Sequence, residues 1–369
     1  MNNNHMPELK IGDSTAKLPI IQGGMSVGIS LSGLASAVAN EGGIGVIGTA
    51  GIGMFEDDLY TNFVESQNRA LRQEIRKARG LTNGLLGVNI LVAMSNFADI
   101  ASTAIDEGID FIITGAGLPL RLPGLLNGSK KTKLIPIVSS GRAAGIMCRR
   151  WIEKYDHVPD AFVVEGPLAG GHLGFKPEHI FDPDYRLEKL VPEVLAEISP
   201  FEEACGRKIP VIAAGGIYTG EDIYKFIRMG AAGVQMATRF VGTYECDASE
   251  RFKQTYLDAK KEDVVIISSP VGLPGRAIRN GFIDAVNEGK KHPFKCPFHC
   301  IITCKGQQSP YCIAFALGHA KRGNMDKGYA FCGANAYRVK ELVHVKDLIH
   351  TLVEGYGTAA SRSAVDVSA

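Results

Sequence analysis

The sequence predicts an α/β fold, a (β/α)8 TIM barrel with a small helical, Cys-containing excursion after strand eight. Three observations predict it. Short β-branched runs alternate with amphipathic stretches, eight such runs can be counted, and most are continuously apolar. Continuous apolar runs mark parallel strands covered on both faces, because strict alternation develops only where one face meets water. Right-handed crossovers close eight βα units into a barrel. A doubly wound open sheet is the structural alternative.

The strands are read at residues 18–22, 43–48, 85–89, 110–114, 134–139, 161–165, 209–213 and 233–236. Each ends in or beside Gly, Ser, Thr or Asn, the residues that turn a chain. Helical spacing is read at 31–40, 58–79, 97–107 and 220–229. After the eighth unit the pattern breaks into a stretch rich in Gly, Pro and Arg, then one rich in cysteine. The organisation read is a barrel over 1–261, an excursion across the barrel mouth over 262–335, and a segment 336–369. That last segment holds a helix at 341–354, which returns to the barrel, and a polar tail.

Charge excludes some partners. The chain has 40 Lys and Arg against 39 Asp and Glu, so no field of one sign steers it to nucleic acid. The run Lys130-Lys131-Thr132-Lys133 is read as a solvated loop. No apolar stretch reaches the ~18 residues that span a bilayer. Met1-Asn2-Asn3-Asn4-His5-Met6 lacks the charged and apolar regions of a secretory signal, and the expected location is cytoplasmic. The expected partner is a small-molecule substrate, with a homodimer left open.

Barrel enzymes place their chemistry at the C-terminal ends of the strands. Strand seven ends in Ala214-Gly215-Gly216-Ile217, and strand eight in Gln235-Met236-Ala237-Thr238. Paired glycines let backbone amides approach a phosphate without Cβ interference, and a turn opening a short helix adds donors. The plainer reading is that these glycines only make tight turns. Strand six runs into Glu165-Gly166-Pro167-Leu168-Ala169-Gly170-Gly171-His172. That places His172 on a glycine turn at the mouth, where an imidazole titrating near neutrality suits proton transfer. A structural histidine bonded to the loop is the alternative.

Cys296, Cys300 and Cys304 recur every four residues, one face of a helix if a helix forms there, and Cys312 follows Pro310-Tyr311. The preferred reading is that small apolar thiols pack that face against the barrel. The alternative is a four-thiolate site for an iron–sulfur cluster or zinc, although the spacing matches no common ferredoxin pattern.

As a set, the motifs resemble those of the nitronate monooxygenase (2-nitropropane dioxygenase-like) family, whose relatives include flavin-dependent enoyl-ACP reductases. They are Gln22-Gly23-Gly24-Met25, Gly87-Val88-Asn89, the strand-six run to His172, Ala213-Ala214-Gly215-Gly216-Ile217, the run from Gly230 to Phe240, and Gly275-Arg276-Ala277-Ile278-Arg279-Asn280. They span about residues 18–282 in family order. The resemblance implies FMN, its phosphate on Gly215, Gly216, Gln235, Met236, Ala237 and Thr238. It implies the ring near Met25, Asn89, Glu165, Gly170 and Gly171, with His172 facing the substrate. The sequence departs from the family where Glu165 replaces Gln, Leu168 replaces Glu, Ala237 replaces Gly, and Gly24 stands where Pro is common. A carboxylate at Glu165 would disfavour an anionic reduced flavin, which bears on substrate and redox tuning.

The resemblance implies an FMN-dependent monooxygenase that oxidises nitronates or nitroalkanes with O2. The alternative is an NAD(P)H-dependent reductase of enoyl thioesters or quinones. An inosine monophosphate dehydrogenase would share the phosphate glycines but needs a nucleophilic Cys after strand six, where this chain has none. A flavin-bearing electron carrier draws support only from the cysteines.

Overall fold

The computed structural model describes residues 5–290, 292, 294–296 and 298–368; side chains are not described for Gln307 or for 364–368. Of the opening stretch, residues 1–4 lie outside the described residues. A hairpin of β1 (Leu9–Ile11) and β2 (Ser14–Ala16) comes first. The barrel strands β3 (Ile20–Gln22), β4 (Gly45–Gly48), β5 (Leu86–Leu91), β6 (Phe111–Gly115), β7 (Lys133–Val138) and β8 (Phe162–Glu165) follow. After the short β9 (Gly171–His172), β10 (Val211–Ala214) and β11 (Gly233–Met236) complete the set. All eight barrel strands are parallel, in spatial order β3-β11-β10-β8-β7-β6-β5-β4. A parallel bridge between Ile21 and Ile44, with Gln22 N donating to the Ile44 carbonyl at 2.9 Å, closes the ring. The open-sheet alternative is thereby removed.

The apolar runs serve two cores. Phe111, Ile113, Ile135, Val163 and Ile212 point into the barrel, whereas Ile112, Val164 and Ala213 pack under the helices. Successive strand residues face opposite sides, so a strand buried on both must be apolar throughout. The hairpin, unforeseen in the sequence, adds Leu9, Ile11 and Ala16 to the inner core. It also explains Lys133. Far from lying in a solvated loop, this residue opens β7, is 7% exposed, and pairs its ammonium with Asp13 at 2.8 Å. Lys130 and Lys131 are exposed as expected.

Helices α1 (Ser32–Asn40), α2 (Phe63–Leu81), α3 (Phe97–Asp106), α4 (Gly141–Tyr155), α5 (Leu187–Cys205) and α6 (Gly220–Arg228) ring the barrel. The stretch read as helical from 58 starts only at Phe63, after a series of turns. α5 contains Pro192 and Pro200, which mask its period in the sequence. A four-residue α7 (Thr238–Val241) and α8 (Glu250–Asp258) follow β11.

The excursion is not purely helical. β12 (Val264–Ser268) and β13 (Pro274–Ile278) form a hairpin, and β13 pairs antiparallel with β9, joining Gly275 to His172 and Arg276 to Gly171. α9 (Gly281–Asn287) and α10 (Ile313–Lys321) flank the cysteine stretch. That stretch is not a helix among the described residues between 292 and 304. Pro293 and Pro297 deny it amide donors, and His299 takes φ +46°. The four-residue spacing therefore defines no helical face.

The C-terminal helix α11 (Val345–Ser368) starts later than read and runs on through the expected tail. It crosses α6 closely: a Cβ on Gly220 would lie 2.2 Å from the Leu352 carbonyl oxygen. Among the described residues no helix is long and apolar enough to cross a membrane.

Candidate active site

The C-terminal strand ends open into a cavity of about 870 Å3. All twelve residues singled out for catalysis or cofactor binding line it. At one end, Gly215 and Gly216 take φ +96° and +86°, values that side-chain-bearing residues adopt only under strain. A Cβ on Gly215 would lie 2.8 Å from the Gly166 carbonyl oxygen, and one on Gly216 would lie 2.9 Å from Leu168 Cδ1. Gln235, Met236, Ala237 and Thr238 complete this end. The Gln235 Oε1 is buried without a hydrogen-bond partner, a state that a donor from a ligand would relieve.

Met25, Asn89, Glu165, Gly170 and Gly171 line the same cavity. Gly24 is a necessity of this chain: a Cβ there would lie 2.4 Å from the Cβ of Asn89, so the proline common in the family has no room. Gly170 is pressed against Cys332 and Gly333, where a Cβ would lie 2.7 Å from either backbone. Glu165 ends β8, and burial pushes its carboxyl up to about 7. Burial thus favours its neutral form, which lessens its conflict with a negatively charged ring.

His172 sits in the short strand β9. Its Nε2 lies 2.7 Å from Ser269 Oγ, and its ring meets the Phe331 ring edge-on at 5.0 Å. Desolvation pushes its pKa down to about 4, so the imidazole is neutral at physiological pH. A neutral imidazole can accept a proton there; as an imidazolium donor it would be almost absent.

Several contributors were missed in the sequence. Ser269 orients His172 from the β12–β13 turn. Arg276, 3% exposed, donates from Nη1 to the carbonyl oxygens of Pro167, at 2.9 Å, and Ala169. It thereby fixes the loop that carries His172. Gly333 N donates to Thr238 Oγ1 at 3.2 Å, and Asn335 Nδ2 to the Gly216 carbonyl at 2.7 Å, so the returning chain ties down the loops after β10 and β11. Only Arg276 had a signal, its place in the Gly275-Arg276 motif. The others depend on contacts about 95 or more residues apart.

The lining fits a phosphorylated flavin in two respects: glycines after β10 where no side chain has room, and a buried amide oxygen of Gln235 left without a donor. Three of the four clustered cysteines, Cys296, Cys300 and Cys312, also line the cavity, while Cys304 does not. Among the described residues no three His, Cys, Asp or Glu side chains converge to hold a single metal ion.

Fold and cavity place the chain among barrel proteins with a ligand-sized site at the strand ends. The family model described as nitronate monooxygenase matches residues 8–355, and the chain belongs to that family. A probable nitronate monooxygenase of Staphylococcus haemolyticus is 26% identical, with 91% of this chain and 93% of that protein aligned. A Mycobacterium tuberculosis protein is 28% identical over 74% of this chain, which spans 66% of that protein's length. It is named (3aS,4S,5R,7aS)-5-hydroxy-7a-methyl-1-oxo-octahydro-1H-indene-4-carboxyl-CoA dehydrogenase. Among solved structures, FabK from Thermotoga maritima superposes with TM-score 0.74 at 27% identity, covering 95% of this chain and 96% of its own. Nitroalkane oxidase from Streptomyces ansochromogenes shares the fold, with TM-score 0.72 at 21% identity and coverage of 95% and 98%.

Proposed function

We propose that the protein is an FMN-dependent nitronate monooxygenase, oxidising nitronates or nitroalkanes with O2. The observation that carries this reading is His172, a neutral imidazole in the cavity wall, held by Ser269 and ready to take a proton. When bound, flavin would supply the redox chemistry, accepting electrons from the substrate and activating O2 for transfer of one oxygen atom to it. The chain does the rest. Gly215 and Gly216 present backbone to the phosphate, the apolar walls keep water from the ring, and His172 removes the proton from the carbon beside the nitro group. A nitronate arrives already deprotonated and needs the last step least.

A second reading is an NAD(P)H-dependent reductase of thioesters. It is favoured by the CoA dehydrogenase named among the relatives and by the size of the cavity. In that role His172 would stand where the product gains its proton.

Anaerobic titration of the purified protein separates the two. A yellow protein that releases FMN on denaturation, and bleaches with a nitronate but not with NADH or NADPH, meets the proposal. Bleaching by NAD(P)H alone selects the second reading. A colourless protein with no affinity for FMN sinks both.

A further inference from the structure

We infer that one wall of the cavity seats a long, uncharged hydrocarbon chain, and that the substrate is a long-chain nitroalkane or its nitronate with no second charge. The nitro head rests on the nitronate reading; the chain is argued from the wall itself. That wall is an apolar cluster of its own. The buried Val27, Met54 and Leu59 pack with Phe63, Phe298 and Leu317, apart from both barrel cores. All six line the cavity, and none is among the twelve residues assigned to cofactor and proton transfer.

These side chains come from distant stretches: the loop after β3, the turns after β4, the start of α2, the cysteine stretch and α10. In the barrel ring, β4 stands four strands from β8 in either direction. The turns after β4 therefore rise across the mouth from Glu165 and the loop that carries His172. A substrate whose reacting carbon faces the imidazole would send its chain toward this wall.

Charge points the same way. Among the described residues the lining holds no lysine, arginine or aspartate, and its one carboxylate is Glu165. A charge carried in without a partner is strongly penalised, so a chain ending in a carboxylate is disfavoured. A plain chain gains about fourfold in affinity for each methylene it buries. The volume permits one, since about 870 Å3 lies high in the roughly 300–1,000 Å3 range of small-molecule sites.

The wall is braced from behind. Gln67 Oε1 accepts from Gly53 N at 3.1 Å, which fastens the turns after β4 to α2. A Cβ on Gly53 would lie 2.5 Å from the Ser66 carbonyl oxygen, so turn and helix already touch. Phe298 stacks on Phe63 at 5.0 Å and tilts against Tyr60 at 5.2 Å. On α10, Gly318 admits Met54, whose Cε would meet a Cβ there at 2.7 Å. A wall built in advance spares an entering chain the cost of ordering it.

The test uses the full chain loaded with flavin. Oxygen uptake is followed with nitroethane, nitrobutane, nitrohexane and nitrooctane, and with nitropropionate, whose chain ends in a carboxylate. Binding of unreactive straight-chain alcohols, ethanol to octanol, is measured by calorimetry. The expected kcat/KM climbs about fourfold per added methylene, and the alcohols tighten in step with a negative heat-capacity change. Nitropropionate should fall about tenfold or more below nitrobutane. Ala314, on the same wall, offers a way to fill the chamber, and Ala314→Trp should flatten both series. Circular dichroism reports the folding of this variant, and the wild-type series decide the matter even if it is unstable. Flat wild-type series, or a preference for nitropropionate over nitrobutane, overturns the proposal. Alcohols that tighten with length while no nitroalkane is oxidised keep the chamber and overturn the nitronate reading alone.

Discussion

At the scale of single residues, His172 makes the sharpest commitment. His172→Ala should keep flavin, because the phosphate cradle lies elsewhere. It should slow oxidation of a neutral nitroalkane by about 10²–10⁴-fold, the usual worth of general acid–base catalysis, and a preformed nitronate much less. In the wild type, the base works while neutral. Activity on the nitroalkane should therefore hold as pH falls past 6.5 and be lost only as it passes about 4. Steady-state kinetics on both substrates checks this, and equal small losses would reduce His172 to a positioning role. His172 and the glycines were legible in the sequence because each has a local reason to stand where it does: a glycine turn at a strand end. Ser269 was not, since it lies 97 positions from its partner and looks like any loop serine.

Elements show the same division. Long apolar strands announce themselves, so all eight barrel strands fall within a few residues of their expected bounds. The cysteine stretch was misread because a spacing of four was allowed to outweigh prolines at 293 and 297. The start of α1 shows another kind of invisibility. Its N-cap, Leu31, offers no side-chain acceptor. Instead Asp247 reaches over from beyond β11 and accepts from Leu31 N at 2.7 Å, Leu34 N at 3.1 Å and Gly33 N at 3.2 Å. Asp247→Ala should leave these donors unsatisfied and lower stability by about 1–3 kcal/mol, read as a shifted midpoint in urea unfolding. An unchanged midpoint would mean that water replaces the carboxylate at no cost.

Taken whole, the molecule is a barrel whose mouth is finished by chain that returns from far along the sequence. The segment around Gly333 and Asn335 holds the loops after β10 and β11, and Gly333 has no spare room: a Cβ there would lie 2.4 Å from Thr238 Oγ1. Gly333→Val should lift this segment and weaken FMN binding by about tenfold or more, the cost of one lost hydrogen bond at the upper end of its range. Fluorescence titration of the flavin-free protein measures it, and wild-type affinity in the variant would show the segment to be a bystander. His172 itself belongs to a different sheet from the cradle, since β9 pairs with β13 and not with any barrel strand. His172 and the glycines after β10 are thus mounted on different sheets. Reshaping the β12–β13 turn would move Ser269, and with it the imidazole it holds, while the glycines after β10 keep their own barrel frame.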